Sequence, residues 1–351
     1  MLHDFQEIDN MNFLKLNELN NSTILITGAT GLIGYHITSY LIHRNIVHKS
    51  NIKILLLVRN VDKARRLFSP IISEEDNSNI TYIVGDIKAI PHIENKLDYI
   101  IHGASPTASK FFVDKPVETI KTAVIGTINI LELVVSHHVK SCVYLSSMEI
   151  YGSPHTEEKL SEKVGTTIDT MQVRSSYPEA KRLCETLCKS YESEYGTNIR
   201  VARLAQTFGP VFDLSDQRVF MLIANSIINN NNIIFNTDGL SKRPYLYLSD
   251  AVSAILTILL LGKDGEAYNV GNKDTYCSIK KMAEIAVNSQ KSNIEIITKK
   301  EVLSKYPSRH NLNLAMDKIE SLGWKPTKNL PEMYAILIKS ICNLKKNGVI
   351  E

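Results

Sequence analysis

Apolar residues fall along this chain in short, nearly continuous runs separated by longer stretches with helical spacing. Thr23–Thr27 (TILIT), Ile52–Val58 (IKILLLV), Thr81–Val84, Leu97–His102 and Ser141–Ser146 read as strands. The first two are apolar almost throughout rather than at every second position, the pattern of parallel strands covered on both faces. Helical patterns lie between them, including Tyr35–His43 and Pro116–His137, and a sixth strand is expected at Ile199–Leu204. Residues 11–20 read as a short helix leading into the first strand. This alternation predicts an α/β fold, a Rossmann-type doubly wound parallel sheet with right-handed crossovers.

After Gly209-Pro210 the alternation weakens. Ile233–Phe235 and Tyr268–Val270 read as short strands, Ile279–Ser289 and Leu330–Leu344 as helices, and Asn229–Asn232 as a surface turn. The second half is therefore expected to be smaller, less regular and partly interleaved with the first. No internal repeat is evident.

Composition narrows the classes. The 351 residues are 44% apolar, enough for a substantial core, and 40 Lys and Arg against 37 Asp and Glu leave a net charge of +3. That balance argues against a basic nucleic-acid binder and against disorder. No uninterrupted apolar run approaches the ~18 residues a membrane span needs, so no membrane association is expected. Ala254–Leu261 is broken by Thr257 and reads as part of a buried helix. Met1–Asn10 carries Asp4, Glu7 and Asp9 and does not read as a signal peptide. The five cysteines lack zinc-type spacing, and Cys184 and Cys188 read as core residues of one helix face. A reducing, cytoplasmic setting is expected, with no metal.

Three segments carry chemistry. Gly28-Ala29-Thr30-Gly31-Leu32-Ile33-Gly34 follows a strand and opens a helix. Glycines there let the backbone approach a pyrophosphate, and the free N–H groups of the helix start stabilise its charge. The spacing is G-x-x-G-x-x-G rather than G-x-G-x-x-G. In Tyr177-Pro178-Glu179-Ala180-Lys181, Tyr177 and Lys181 share a helix face. A Lys ammonium beside a phenol favours the phenolate, making a proton acceptor for a sugar hydroxyl. Leu145–Gly152 (LSSMEIYG) leaves the C-terminal end of a strand, the edge where ligands of open α/β sheets collect. Ser147 can exchange a hydrogen bond with a substrate hydroxyl, and Glu149 puts a carboxylate in the same loop.

Together, in this order, the three segments resemble the extended short-chain dehydrogenase/reductase family, whose epimerases, dehydratases and decarboxylases act on nucleotide sugars. The resemblance runs from about residue 20 to 340. Gly85-Asp86-Ile87 is similar to the family's adenine-side contact, which implies cofactor roles for Asp86 and Ile87. His102-Gly103-Ala104-Ser105 is similar to its cofactor-lining stretch, which implies the same for Gly103, Ala104 and Ser105. Leu322-Gly323-Trp324 is similar to its C-terminal L-G-W. Within the family, ASPTASKFFVDKPVETIKTAVIGTINILEL, RVARLAQTFGP and DQRV resemble the UDP-glucuronate decarboxylases. That match puts Ser147, Glu149, Tyr177, Lys181 and Arg243 on catalytic or substrate positions and Arg218 on a nucleotide-diphosphate contact. It implies a nucleotide-diphosphate-sugar substrate.

The chain also departs from the pattern. Met148 stands where decarboxylases carry Ser and dTDP-glucose dehydratases Asp. Ala205-Gln206 stands where an Asn meets substrate phosphate, which leaves Gln206 as the substrate contact, and Ala123 replaces an Asn. Arg59-Asn60 ends the second strand where NAD users of the group carry an Asp. Arg59 is followed by Lys63 and Arg65, and a guanidinium suits a 2′-phosphate. NAD or NADP is expected, with NADP favoured.

The resemblance implies transient C4 oxidation by a bound nicotinamide cofactor. Tyr177 would take the hydroxyl proton, Lys181 would lower its pKa and hold the nicotinamide ribose, with both residues beside the cofactor, and Ser147 would orient the hydroxyl. Glu149 would serve a later step at C5. Epimerisation, 4,6-dehydration and NADP-dependent reduction of a keto sugar are the alternatives, and a non-catalytic dinucleotide-binding regulator is a further one. Residues 1–205, with returning segments near 240–262, are expected to bind the dinucleotide, and 206–351 mainly the substrate. A homodimer is expected through Thr119–Val135 and the Tyr177 helix.

Overall fold

Strands without polar residues need cover on both faces, and the chain provides it. The structure, a computed structural model, describes residues 1–72, 79–154, 156–211, 213–298 and 310–346. Helix α1 (Leu2–Asp9) precedes β1 (Thr23–Thr27), α2 (Leu32–His48), β2 (Lys53–Val58), α3 (Val61–Phe68), β3 (Ile80–Val84) and β4 (Tyr99–His102). Next come α4 (Ser109–Asp114), α5 (Pro116–Ser136), β5 (Ser141–Ser147), α6 (Ser176–Tyr195) and β6 (Ile199–Leu204). The second half supplies β7 (Gln206–Phe208), α7 (Val219–Ile228), β8 (Ile233–Phe235), β9 (Lys242–Tyr247), α8 (Leu248–Leu261) and β10 (Ala267–Val270). It ends with β11 (Asn272–Ser278), α9 (Ile279–Ser289), β12 (Ile296–Thr298), α10 (Asp317–Glu320) and α11 (Leu330–Lys346).

Seven strands form one sheet in the order β10-β6-β5-β4-β1-β2-β3. Every neighbouring pair is parallel, as continuous apolar runs require. One face is covered by α2 and α8, whose Ile37, Leu41, Ala251 and Ile255 join Ile24, Ile26, Val143 and Ala202 in one apolar cluster. The other is covered by α5 and α6, with Ile130, Val134, Cys184 and Cys188 against Leu25, Ile100 and Cys142. A third cluster, around Phe208, Phe220, Met282 and Tyr334, belongs to the second half. There, β7 and β9 pair in parallel and β9 and β11 antiparallel, just past the C-terminal end of β6.

The interleaving is as the sequence suggested, and it runs further. Strand β10 adds the seventh strand to the main sheet, and Trp324 is fully buried in the first cluster, its indole N–H donating to Ser253 Oγ at 2.9 Å. The N-terminus differs from expectation. The helix is at Leu2–Asp9, and only Leu16–Leu19 of the expected stretch is helical, as one 3-10 turn. Phe5 and Ile8 are buried three residues apart on one helix face, so a segment read as polar anchors through two apolar residues. Helix α5 is long and apolar enough, by length and composition, to cross a membrane. No uninterrupted apolar run marked it in the sequence, because Glu118, Lys121 and Glu132 are spaced along it. Thr119, Ala123, Gly126, Thr127, Ile130, Leu131 and Val134 bury one of its faces.

Candidate active site

Most of the predicted dinucleotide contacts follow the C-terminal ends of β1 to β4, and two more, Tyr177 and Lys181, lie on α6. The turn after β1 is tight. Gly28 has φ 72°, and a Cβ there would sit 2.7 Å from the Gly103 carbonyl carbon. A Cβ on Gly34 would collide with the Gly28 carbonyl oxygen. Glycine is therefore required by backbone conformation and by close approach. Gly31 caps α2 without any side-chain hydrogen bond, and the helix's own ladder begins with Tyr35 N donating to Gly31 O. The N–H groups of Leu32, Ile33 and Gly34 remain outside that ladder, beside Thr30. An uncapped, all-backbone helix start fits a pyrophosphate.

The second wall is held by a buried chain of hydrogen bonds. Gly103 N and Ala104 N donate to Thr27 Oγ1 at 3.2 and 3.1 Å. The Thr27 hydroxyl is thereby left to donate to His102 Nδ1, 2.7 Å away, and His102 Nε2–H to donate to Thr127 Oγ1 at 3.2 Å. Burial pushes the His102 imidazole down to about 3, so it is neutral at physiological pH. Ser105 follows, its hydroxyl bonded to the Pro106 carbonyl. Beyond β3, Asp86 accepts from Lys88 N, and Ile87 packs against Gly126 with its carbonyl held by Asn129. Arg59 is exposed at the end of β2.

The catalytic candidates converge from β5 and α6. Ser147 caps the 3-10 turn Met148–Tyr151 and accepts from Glu149 N at 3.2 Å. Its hydroxyl also acts on Tyr177, easing ionisation of that phenol. Glu149 is bound by Arg174 at 2.6 Å. Arg174 lies 4.9 Å over the Phe112 ring, and Phe112 stacks on Tyr177 with centroids 4.1 Å apart and planes 8° from parallel. A guanidinium, a phenyl ring and a phenol thus form one stack beside a carboxylate.

Electrostatics there are mixed. Burial, then Glu149, raise the Tyr177 pKa above the ordinary phenol value, while Ser147, Arg174 and Arg218 lower it. Lys181 was expected to supply the lowering. Its ammonium instead donates to the Leu145 carbonyl at 2.7 Å, and its nitrogen is 5.9 Å from the Tyr177 ring centre. Burial brings Lys181 itself down to about 8.

Gln206 and Arg243 occupy neighbouring strands of the small sheet, with Gln206 opposite Tyr245. Arg243 Nη2 meets His310 Nε2 at 3.0 Å, and its buried Nε has no partner among the described residues. Arg218 opens α7, paired side-on with Asp216 and 4.7 Å over Phe220. Met148 is buried in the first cluster, so the departure there is filled by core packing. Tyr151 leaves the same turn to accept from Arg203 and donate to Asn269, and Arg203 grips Glu185 of α6 through both carboxylate oxygens. Sequence reasoning missed Arg174 and Phe112. The available signal was Glu149 itself, because a carboxylate near a phenol expected to ionise calls for a cation beside it.

Residues 24–271 match the NAD dependent epimerase/dehydratase family. A UDP-glucuronic acid decarboxylase from Arabidopsis thaliana is 29% identical over 314 residues, covering 89% of this chain and 87% of the relative. UDP-glucose 4-epimerase from Thermotoga maritima, solved with UDP-glucose, superposes with a TM-score of 0.75 at 21% identity over 92% of this chain and 99% of that one. A dTDP-glucose 4,6-dehydratase from Bacillus anthracis, solved with NAD, gives 0.72 at 19% over 93% and 98%. The parallel seven-stranded sheet is the fold of these structures.

Proposed function

The chain belongs to the NAD dependent epimerase/dehydratase family, and from that premise we propose that it modifies a nucleotide-diphosphate sugar, in the manner of a UDP-glucuronate decarboxylase. One observation carries the reading: Ser147, Tyr177 and an arginine-paired Glu149 meet at the C-terminal edge of the sheet, the edge that also carries the glycine turn. When bound, a nicotinamide dinucleotide supplies reversible hydride acceptance at the sugar C4, which makes a C5 carboxylate labile. Tyr177 accepts the C4 hydroxyl proton, and Ser147 orients that hydroxyl. Lys181, buried and brought down to about 8, holds the nicotinamide ribose. Glu149 orders the sugar or the proton path at C5. Gln206, Arg218 and Arg243 take the diphosphate and sugar. Gly28, Thr30, Gly31, Leu32, Ile33, Gly34, Asp86, Ile87, Gly103, Ala104 and Ser105 cradle the dinucleotide. Residues 1–205 with 240–262 form the cofactor half and 206–351 mainly the substrate half.

Mass spectrometry of the purified protein with a panel of nucleotide sugars tests this. Loss of CO2 from a uronic acid supports it. Isomerisation, loss of water or gain of hydrogen assigns an epimerase, dehydratase or reductase instead. The family description names NAD, while the exposed Arg59 with Lys63 and Arg65 favours a 2′-phosphate and hence NADP. Tighter binding of NAD than NADP to apoprotein overturns that preference. Val117 (63% exposed), Ile120 and Ile125 of α5 and Leu183 (47%) of α6 support a homodimer through these two helices. Light scattering showing a monomer at micromolar concentration overturns it. The free thiols Cys142, Cys184, Cys188, Cys277 and Cys342 suit a reducing, cytoplasmic setting.

A further inference from the structure

Away from the catalytic edge, three metal-ligating side chains converge where α1 meets the end of α2. His43 Nε2 and His48 Nε2 approach the same oxygen, Asp9 Oδ2, at 3.0 and 2.9 Å. The other oxygen, Oδ1, is held by the Tyr40 hydroxyl at 2.8 Å and Arg44 Nη1 at 3.2 Å. All three donor atoms lie within 4.8 Å of one another. His43 is buried, the Asp9 side chain is 11% exposed, and His48, at 40%, leaves one side open to water.

We propose that Asp9, His43 and His48 bind one divalent transition-metal ion of the zinc type, which fastens α1 to the end of α2. Two imidazole nitrogens and one carboxylate oxygen form a donor set that zinc favours, with water as a fourth ligand. Zinc bonds of about 2.0–2.2 Å at tetrahedral angles put donors about 3.3–3.6 Å apart, so the two imidazole–carboxylate contacts of 3.0 and 2.9 Å need to open by roughly half an ångström. Tyr40 and Arg44 act from behind by fixing the carboxylate so that Oδ2 faces the rings, as outer contacts do around metal ligands. The neighbouring group His3, Asp4 and Glu7 is less suited, since Lys328 takes both Glu7 oxygens, whereas the partners Tyr40 and Arg44 leave Asp9 Oδ2 to the imidazoles. The site is distinct from the dinucleotide cradle: the two lie at opposite ends of α2, which is about 25 Å long for 17 residues. Ligand spacing gave no sequence signal, because Asp9 lies 34 and 39 positions from the two histidines.

Chelator-treated, tag-free full-length protein should bind one equivalent of Zn(II), read by calorimetry and by competition with a chromophoric chelator, and its melting temperature should rise with zinc. His48→Ala, at an exposed position that leaves the fold intact, should abolish both effects. Tyr40→Phe should weaken zinc binding by about 10–100-fold, the cost of losing an outer contact. His3→Ala should bind zinc as the parent does. Absence of stoichiometric zinc binding by the parent overturns the proposal. So does undiminished binding by His48→Ala, or loss of binding by His3→Ala with His48→Ala unaffected.

Discussion

The turn after β1 and the loop after β5 lie at the same edge of one sheet but are built by opposite means. Around Gly28 the working surface is backbone: side chains are excluded because the Gly28 and Gly103 backbones almost touch. Around Ser147 the working surface is side chain, and each group is set by a partner far along the chain: Glu149 by Arg174, and Tyr177 by Phe112. The first surface needs almost no charge tuning, because peptide dipoles are fixed. The second depends on it, because a buried phenol, proposed above as the proton acceptor, stands near a carboxylate. A backbone site should fail through conformation and a side-chain site through chemistry.

The largest effect is expected at Tyr177. Tyr177→Phe keeps the stack on Phe112 but removes the proton acceptor, and turnover should fall by at least the ~10²–10⁴-fold typical of a general base. Reduced-nicotinamide absorbance in a single turnover reads this directly, and dinucleotide binding should be unchanged. Gly28→Ala breaks the other side of the comparison. A left-handed backbone position costs a non-glycine residue about 1–3 kcal/mol, and the contact with Gly103 adds to it. Melting temperature should drop and dinucleotide affinity with it. Gly196→Ala is the control, with φ 66° but open space for the new Cβ, so it should lose less stability and no affinity.

Smaller effects separate the charges. Arg174→Met removes a group that lowers the Tyr177 pKa, so the rising limb of the pH–rate profile should move to higher pH, and Arg174→Lys should largely restore it. Glu149→Gln should move the limb the opposite way. If Glu149 serves only C5, this variant still reduces the cofactor while product formation collapses. Loss of cofactor reduction with substrate binding intact would place Glu149 in the C4 step itself. The smallest expected effect concerns His102, whose folded pKa of about 3 lies below its ordinary value of 6.5. Between those values the unfolded chain binds the extra proton, so stability is full above about pH 6.5 and is lost as pH falls towards 3. His102→Asn, which can still accept from Thr27, should flatten that acid slope in melting temperature. His36, pushed down to about 4 by burial, should keep part of it.

The same contrast explains what the sequence disclosed. Gly28, Gly31 and Gly34 were legible because a backbone requirement leaves its mark at the residue that meets it. Tyr177 and Lys181 were legible because one helix turn sets their spacing. The direction of the Lys181 ammonium was not, since it depends on the Leu145 carbonyl 36 positions away. Arg174 and Phe112 were hidden for the same reason. Strand interiors of the main sheet came out nearly residue by residue, because a two-sided apolar run has no other stable place, whereas β7, β9, β11 and β12 were not read. Helix α1 did not, because two buried residues among acidic ones leave little periodicity to read.

The sheet order has a consequence for synthesis. Strand β6 is finished at Leu204, but its outer neighbour β10 begins at Ala267, and the cluster over β5 and β6 is completed by α8 and Trp324. As the chain emerges from the ribosome, the first two hundred residues present an unpaired β6 edge and uncovered Val143, Leu145 and Ala202 until the last quarter follows. A chain halted near residue 205 should therefore associate or be degraded rather than persist as a half-molecule. The main sheet is therefore a unit that needs residues from both halves of the chain.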